Sequence, residues 1–323
     1  MSRPPGKALD LAAVYRETRK RLARYAAQGS LPQPEGPVVY DSDGGEPAAP
    51  PHAPGAPAEP QQPDSEPKEG SAAAHAGSQQ HPREPEALGG DADGRPLAPS
   101  GPPPSRRCCF AVSSDDTVSA AVRISVSAGR PAFTLSFASK NLPGGAVASG
   151  VLAQEECVFR QTALSLLLPP EVRPSCYPLP PGRVVVCRRV AVVRGPHPAY
   201  EWLSEPYVLI DVATSAAAQK PPLTECGEQY SDGGVEMRMR AASVLRAAVR
   251  NGSTHLVLGA WGCGGFRNPA RGLAEVFRGL IVDEGFARFF AHVEFAIPGQ
   301  GKHVKAFSEV FRDLLDEAGA EAL

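Results

Sequence analysis

Residues 255–269 read HLVLGAWGCGGFRNP, an apolar run that breaks off in four glycines, Gly259, Gly262, Gly264 and Gly265. A short apolar run stopped by glycine marks a buried strand entering a loop. Asn268 and Pro269 then offer an N-cap and a first-turn proline for a helix. Backbone N–H groups at such a strand–loop–helix turn can approach a phosphate closely. The glycines do not fall as G-x-G-x-x-G and the strand lies late in the chain, which argues against a dinucleotide-binding fingerprint; no G-K-[ST] is present, so a P-loop is excluded. Trp261 reads as a core residue with a polar tip, and Phe266, beside glycines, as the aromatic that faces a ligand.

Working outward, the same alternation recurs. Strands are predicted over 109–112, 132–138, 183–187, 207–212, 255–260 and 292–297, and helices over 116–127 with Asp116 as N-cap, 153–167, 235–249, 268–281 and 303–317. Strands alternating with helices predict an α/β fold with a largely parallel sheet covered on both faces. Met237, Ala241, Val244, Leu245 and Ala248 form one apolar helix face, and Val304, Phe307, Val310, Phe311 and Leu314 another; such stripes are core.

A second informative stretch, FASKNLPGGAVASGVLAQEE over 137–156, runs from a strand through Gly144, Gly145 and Gly150 into a helix. Alone it also fits a Pro-Gly turn with acidic residues complementing the helix dipole. Glu155 and Glu156 project about 100° apart, so two carboxylates can address different parts of one sugar. Glycosyl transfer needs a protonated carboxyl near the leaving group, which requires burial and the neighbouring glutamate to outweigh the pull of the helix N-terminus on the anion. Cys157 and Cys263 lie beside these motifs without a base to activate them.

The first 43 residues form a separate piece. Leu11, Val14, Tyr15, Thr18, Leu22, Tyr25 and Ala26 recur at helical spacing, with Arg16, Arg19, Lys20 and Arg24 opposite. That amphipathic helix, followed by a short strand over 37–40, is expected to dock on a body spanning 108–323. Between them, 44–107 is dominated by Pro, Ala, Gly, Ser, Gln and Glu and holds 15 of the 35 prolines; it is expected to be a disordered insertion.

Composition excludes several classes. The formal net charge of −2 and the lack of a long Lys/Arg run give no DNA-binding signal. No stretch approaches a membrane span and residues 1–9 do not read as a secretory signal, so a soluble intracellular protein, cytoplasmic or nuclear, is expected. Seven cysteines form no CxxC pair and no zinc-like Cys/His spacing; free thiols are expected and no metal. Cys108 and Cys109 read as small buried residues opening a strand. His197, His255, His292 and His303 carry no motif, and Asp211 is a mild candidate to support a site.

Taken together, the two glycine stretches resemble the microbial-type poly(ADP-ribose) glycohydrolases, a macrodomain-fold family. The resemblance rests on Gly144 and Gly145 followed by Gln154, Glu155 and Glu156, on the second loop from Gly259 to Pro269, and on an N-terminal helix containing Arg16, Glu17 and Thr18. It implies a three-layer α/β/α fold with a mostly parallel mixed sheet. It also implies hydrolysis of ribose–ribose O-glycosidic bonds, with release of ADP-ribose from poly(ADP-ribose) or ADP-ribosylated proteins and no cofactor. By the same resemblance Glu156 is the general acid that later activates water, Glu155 holds ribose hydroxyls and Gln154 supports the loop. Gly144, Gly145, Gly262, Cys263, Gly264 and Gly265 line the diphosphate, Phe266 packs on the distal ribose, and Asn141 is a further ribose contact.

Two residues depart from the pattern: Ala146 stands where the family has a third glycine, and Ser136 where it usually has Asn. A methyl group at 146 would cost roughly 1 kcal/mol if that residue needed positive φ. These departures motivate one alternative, a silent ADP-ribose reader on the same fold. A dinucleotide-dependent oxidoreductase using the second loop is the other.

Overall fold

A computed structural model of the chain describes residues 9–42, 107–170 and 175–315. The expected disorder of 44–107 and the end of the helix expected over 303–317 lie outside those residues or reach beyond them. Thirteen helices and strands of regular type organise the described part: α1 Leu11–Ala27, β1 Glu35–Tyr40, β2 Cys109–Ser113, α2 Thr117–Ala128, β3 Phe133–Phe137, α3 Gln154–Gln161, β4 Val184–Ala191, β5 Leu209–Ser215, α4 Val235–Arg250, β6 His255–Leu258, α5 Ala270–Arg278, β7 His292–Ala296 and α6 Lys302–Val310.

The seven strands form one sheet in the order β1-β4-β5-β3-β6-β7-β2. Five adjacent strands, β5 to β2, run parallel, while β4 is antiparallel to both β5 and β1. Helices cover both faces, as a parallel sheet built from βαβ crossovers requires. One face packs Phe133, Leu135, Leu256 and Phe295 against Ala241 and Leu245 of α4, Leu273 and Phe277 of α5, and Phe307 of α6. The other packs Val212 and Val257 against Tyr15 and Leu22 of α1, Ile124 of α2, and Val158 and Phe159 of α3. The sheet is therefore the middle of three layers.

Local chemistry sets the starts of two helices. Asp116 caps α2 by accepting from Val118 and Ser119 N–H, and Gly129 ends it at φ 64°. Asp10 caps α1 through Ala13 N–H.

Four expectations need correction. The helix predicted over 153–167 stops at Gln161: Thr162 turns to extended backbone, bridges Val192, and caps a 3₁₀ turn, Ala163–Leu166. Asn268 is no N-cap. Pro269 holds that place, and the Asn268 amide instead donates to Ala218 O and Gly262 O while its oxygen accepts from Tyr230 Oη. The strands predicted over 183–187 and 207–212 run on to Ala191 and Ser215 because both are buried on the sheet well beyond the predicted ends. Cys109 opens β2 but is exposed rather than buried, and burial pushes the neighbouring Cys108 thiol up to about 12.

Among the described residues no helix is long and apolar enough to cross a membrane.

Candidate active site

The two glycine stretches leave adjacent parallel strands. β3 pairs with β6 through Phe133↔Leu256 and Thr134↔Val257, so both loops emerge at the carboxyl end of the sheet, the end where open α/β folds bind ligands. They also touch. A side-chain carbon on Gly259, the residue that follows β6, would lie 3.0 Å from Phe137 Cζ at the end of β3 and 2.7 Å from Ala296 O. Glycine at 259 is thus needed for the loops to start side by side.

Gln154 fastens the first loop to the sheet. Its Oε1 accepts from Phe137 N–H at 2.8 Å, and its Nε2 donates to Leu135 O at 2.8 Å and Thr117 Oγ1 at 3.1 Å. The side-chain amide completes the edge of β3 where pairing with β6 stops at Thr134.

The next two residues point into the loop itself. Glu155 is 3% exposed; Ser139 N–H donates to its Oε2 at 2.7 Å and Gly144 N–H to its Oε1 at 2.8 Å. Glu156 is 7% exposed and accepts from Ala146 N–H through Oε1 at 3.0 Å; Oε2 has no hydrogen-bond partner among the described residues. One carboxylate is therefore tied by both oxygens and its neighbour by one. Burial pushes the Glu155 carboxyl up to about 8, the charge of Glu156 adds to the rise, and the two backbone donors pull against it. Burial outweighs the two loop N–H donors at this residue.

The loop's backbone is shaped around these groups. Gly144 and Gly145 sit at φ 71° and 54°, and a methyl group on Gly144 would meet the Phe159 ring at 2.9 Å. Ala146 sits at φ −104°, a region open to any L-residue, so the departure from a third glycine carries no backbone strain. Ser136 is fully buried with its hydroxyl unpartnered among the described residues, opposite Thr214 Oγ1, which is also unpartnered. Asn141 is exposed, and its N–H is turned onto Ser139 Oγ at 3.3 Å.

The second loop is braced from β5. Gly262, at φ 76°, leaves no room for a methyl group between Asn268 and Ala217, and Lys220 N–H donates to Phe266 O at 2.8 Å. Gly264 and Gly265 are exposed, and side chains there would meet open space. Their small size is not demanded by the packing of the chain. Phe266 is half-buried against the core, and burial pushes Cys263 up to about 12. Trp261 is fully buried, as a core residue should be, with its Nε1 unpartnered among the described residues. Asp211 does not join the site: it pairs with Phe133 at the opposite end of the strands and accepts from Arg189 N–H and Asn251 Nδ2.

Three residues carry the site without having been singled out in the sequence. Arg160, fully buried, donates to Leu11 O at 3.1 Å and Val151 O at 2.7 Å, joining α1 to the first loop. Its place four residues after Glu156 on one helix was the available signal. Tyr230 holds Asn268. The Tyr177 hydroxyl is buried, unpartnered among the described residues, and pushed up by burial and by the charge of Glu155. Its segment reaches the loop through Leu179 N–H on Lys140 O, a contact with no local sequence signature.

Comparison with known proteins accords with this geometry. Residues 69–179 match the family described as microbial-type PARG, catalytic domain. The chain is similar to the solved poly(ADP-ribose) glycohydrolase of Thermomonospora curvata, at 33% identity and a TM-score of 0.57 over 66% of this chain and 79% of that one. The same protein bound to the inhibitor ADP-HPD matches at 34% identity and a TM-score of 0.54, covering 62% of this chain and 78% of that one. The Deinococcus radiodurans poly(ADP-ribose) glycohydrolase in complex with ADP-ribose matches at 30% identity and 0.53, covering 66% and 87%. Among curated protein sequences there is no match.

Proposed function

The chain belongs to the microbial-type poly(ADP-ribose) glycohydrolase family, and from that membership we propose that it hydrolyses the ribose–ribose O-glycosidic bonds of poly(ADP-ribose), releasing ADP-ribose. The observation that carries the reading is the meeting of two glycine loops at Phe137 and Gly259, with two buried carboxylates set into the first of them.

The asymmetry of the pair supports separate roles. Glu155, tied by both oxygens, cannot swing toward a leaving group but keeps lone pairs that accept ribose hydroxyls. Glu156, tied by one oxygen, has the other available to protonate the glycosidic oxygen as the bond to the anomeric carbon breaks. The carboxylate so formed then removes a proton from water, whose oxygen bonds to the oxocarbenium-like carbon. Burial and the charge of the neighbouring Glu156 raise the Glu155 carboxyl to about 8, which fits a site closed to water.

Gly144, Gly145, Gly262, Cys263, Gly264 and Gly265 are proposed to line the diphosphate. Glycine at 264 and 265 serves no packing need, which fits a backbone that must let phosphate oxygens close. Phe266 is proposed to pack on the distal ribose, and Asn141 to make a further ribose contact. Poly(ADP-ribose) or ADP-ribosylated proteins are the proposed partners. Seven free thiols support a reducing, intracellular setting.

Glu156→Gln keeps shape while removing the transferable proton. It is expected to abolish ADP-ribose release from poly(ADP-ribose) and to leave calorimetric ADP-ribose binding near the wild-type value. Full activity in that variant would refute the assignment.

A further inference from the structure

α1 carries five basic residues against one acidic one, in a chain whose Asp and Glu outnumber its Lys and Arg. The helix buries Val14, Tyr15, Thr18 and Leu22. That face sets Arg16, Lys20 and Arg24, four residues apart, in one stripe on the opposite side, and all three are exposed. At 1.5 Å per residue the stripe is about 12 Å long. The sequence shows only the short run Arg19-Lys20-Arg21; helical periodicity, not adjacency, brings Arg16, Lys20 and Arg24 together.

The rest of the helix surface is occupied in holding it down. Glu17 pairs with both Arg21 and Arg194 at 3.0 Å. The same two guanidiniums lie 5.0 and 5.1 Å from the centroid of Trp202, and Tyr25 meets that ring edge-on at 5.7 Å. At this node Glu17, Lys20, Arg21 and Arg24 line an open hollow of about 320 Å³. Among the described residues Arg16 has only a 3.5 Å contact to Asp10, both side chains being mostly exposed, which is worth little against a multivalent anion.

The stripe starts one turn from the catalytic loop. Gly150 approaches the first turn of α1 so closely that a methyl group on it would lie 3.4 Å from Ala12 N, and Arg160 bonds Leu11 O and Val151 O together. Within two residues of this junction along the chain, Leu9, Val151 and Leu152 are exposed apolar side chains. An apolar junction leading into a cationic stripe suits a polymer that alternates flat bases with pyrophosphates.

We propose that the junction at Leu9, Val151 and Leu152 and the α1 stripe of Arg16, Lys20 and Arg24 form a track for the part of the poly(ADP-ribose) chain beyond the bond being cut. The track rests on the glycohydrolase reading and makes long polymer a better substrate than short oligomers. Base rings lie on the apolar side chains and pyrophosphates on the cations.

The test uses the full chain with Lys20→Glu/Arg24→Glu, and Lys20→Gln/Arg24→Gln as the milder pair, each checked for an unchanged melting temperature. ADP-ribose release is measured from long polymer and from two-unit oligomers across a salt series. The charge-reversal pair is expected to raise KM for long polymer about tenfold with kcat unchanged, to leave the oligomers unaffected, and to flatten the log–log salt dependence by about 0.7 per lost phosphate contact. An unchanged KM and salt slope, or an equal effect on oligomers, overturns the track while leaving the glycohydrolase reading intact. Stronger competition by single-stranded RNA or DNA than by poly(ADP-ribose) at equal phosphate concentration reassigns the stripe to nucleic acid and also overturns it. If the wild type releases no ADP-ribose, the glycohydrolase reading fails. The track then stands or falls on whether fluorescent polymer binds wild type more tightly than the reversal pair.

Discussion

A methyl group on Gly145 would lie 2.7 Å from Glu156 Oε1 and 2.9 Å from Glu155 Oε2, so both carboxylates close on one glycine whose φ is 54°. The side chain is excluded by the two acids and the backbone conformation disfavours any L-residue. Gly145→Ala is therefore expected to push the acids out of register and to lower kcat/KM on poly(ADP-ribose) by at least about tenfold. Ala146→Gly, one residue on and at negative φ, is expected to leave kcat/KM within about twofold. Equal losses in the two variants would show that the loop does not act through this contact.

The raised carboxyl of Glu155 makes a prediction about stability. The folded chain holds a proton at Glu155 up to about pH 8, while the unfolded chain releases it near the ordinary value of 4.5. Its contribution is therefore complete below the unfolded value and is lost as pH rises through the folded one. Denaturant midpoints are expected to fall across that window, and Glu155→Gln, which has no proton to lose, should flatten the fall. A wild-type profile already flat from acid to alkaline pH would contradict the buried, protonated state.

Glu294 titrates in the opposite sense. Burial alone would raise its carboxyl, but His292, Ser113 Oγ at 2.6 Å and Arg123 at 2.6 Å bond it and hold it at about 2. A lowered carboxyl contributes stability above its unfolded value and loses it as pH falls toward 2. Arg123→Met is expected to cost about 1 to 2 kcal/mol at neutral pH, the guanidinium being half-exposed, and less in acid. Urea unfolding of both proteins at neutral and acid pH checks this; an equal cost at both would assign the loss to packing.

Much of the fold was legible because its signals are local. The apolar run into Gly259, the turn at Gly144 and Gly145, and the pair Glu155–Glu156 opening a helix each need only a few neighbouring residues to be read. The misreadings have a common cause. Thr162 ends α3 because it bridges Val192, 30 residues further on, and Asn268 leaves its capping place because Ala218 and Tyr230 claim its amide from other elements. Propensity could not anticipate partners brought in by the fold.

By itself the sequence determined where glycine interrupts strands, which helix opens on two carboxylates, and which faces are apolar, since each follows from residue chemistry and spacing of 2 or 3.6. Only the tertiary structure decided that Phe137 and Gly259 touch, that one glutamate is tied by two backbone donors and its neighbour by one, and that Arg160 seats α1 against the first glycine loop. Those relations join segments up to 149 residues apart, and contacts over such separations depend on the packed sheet rather than on any stretch of chain.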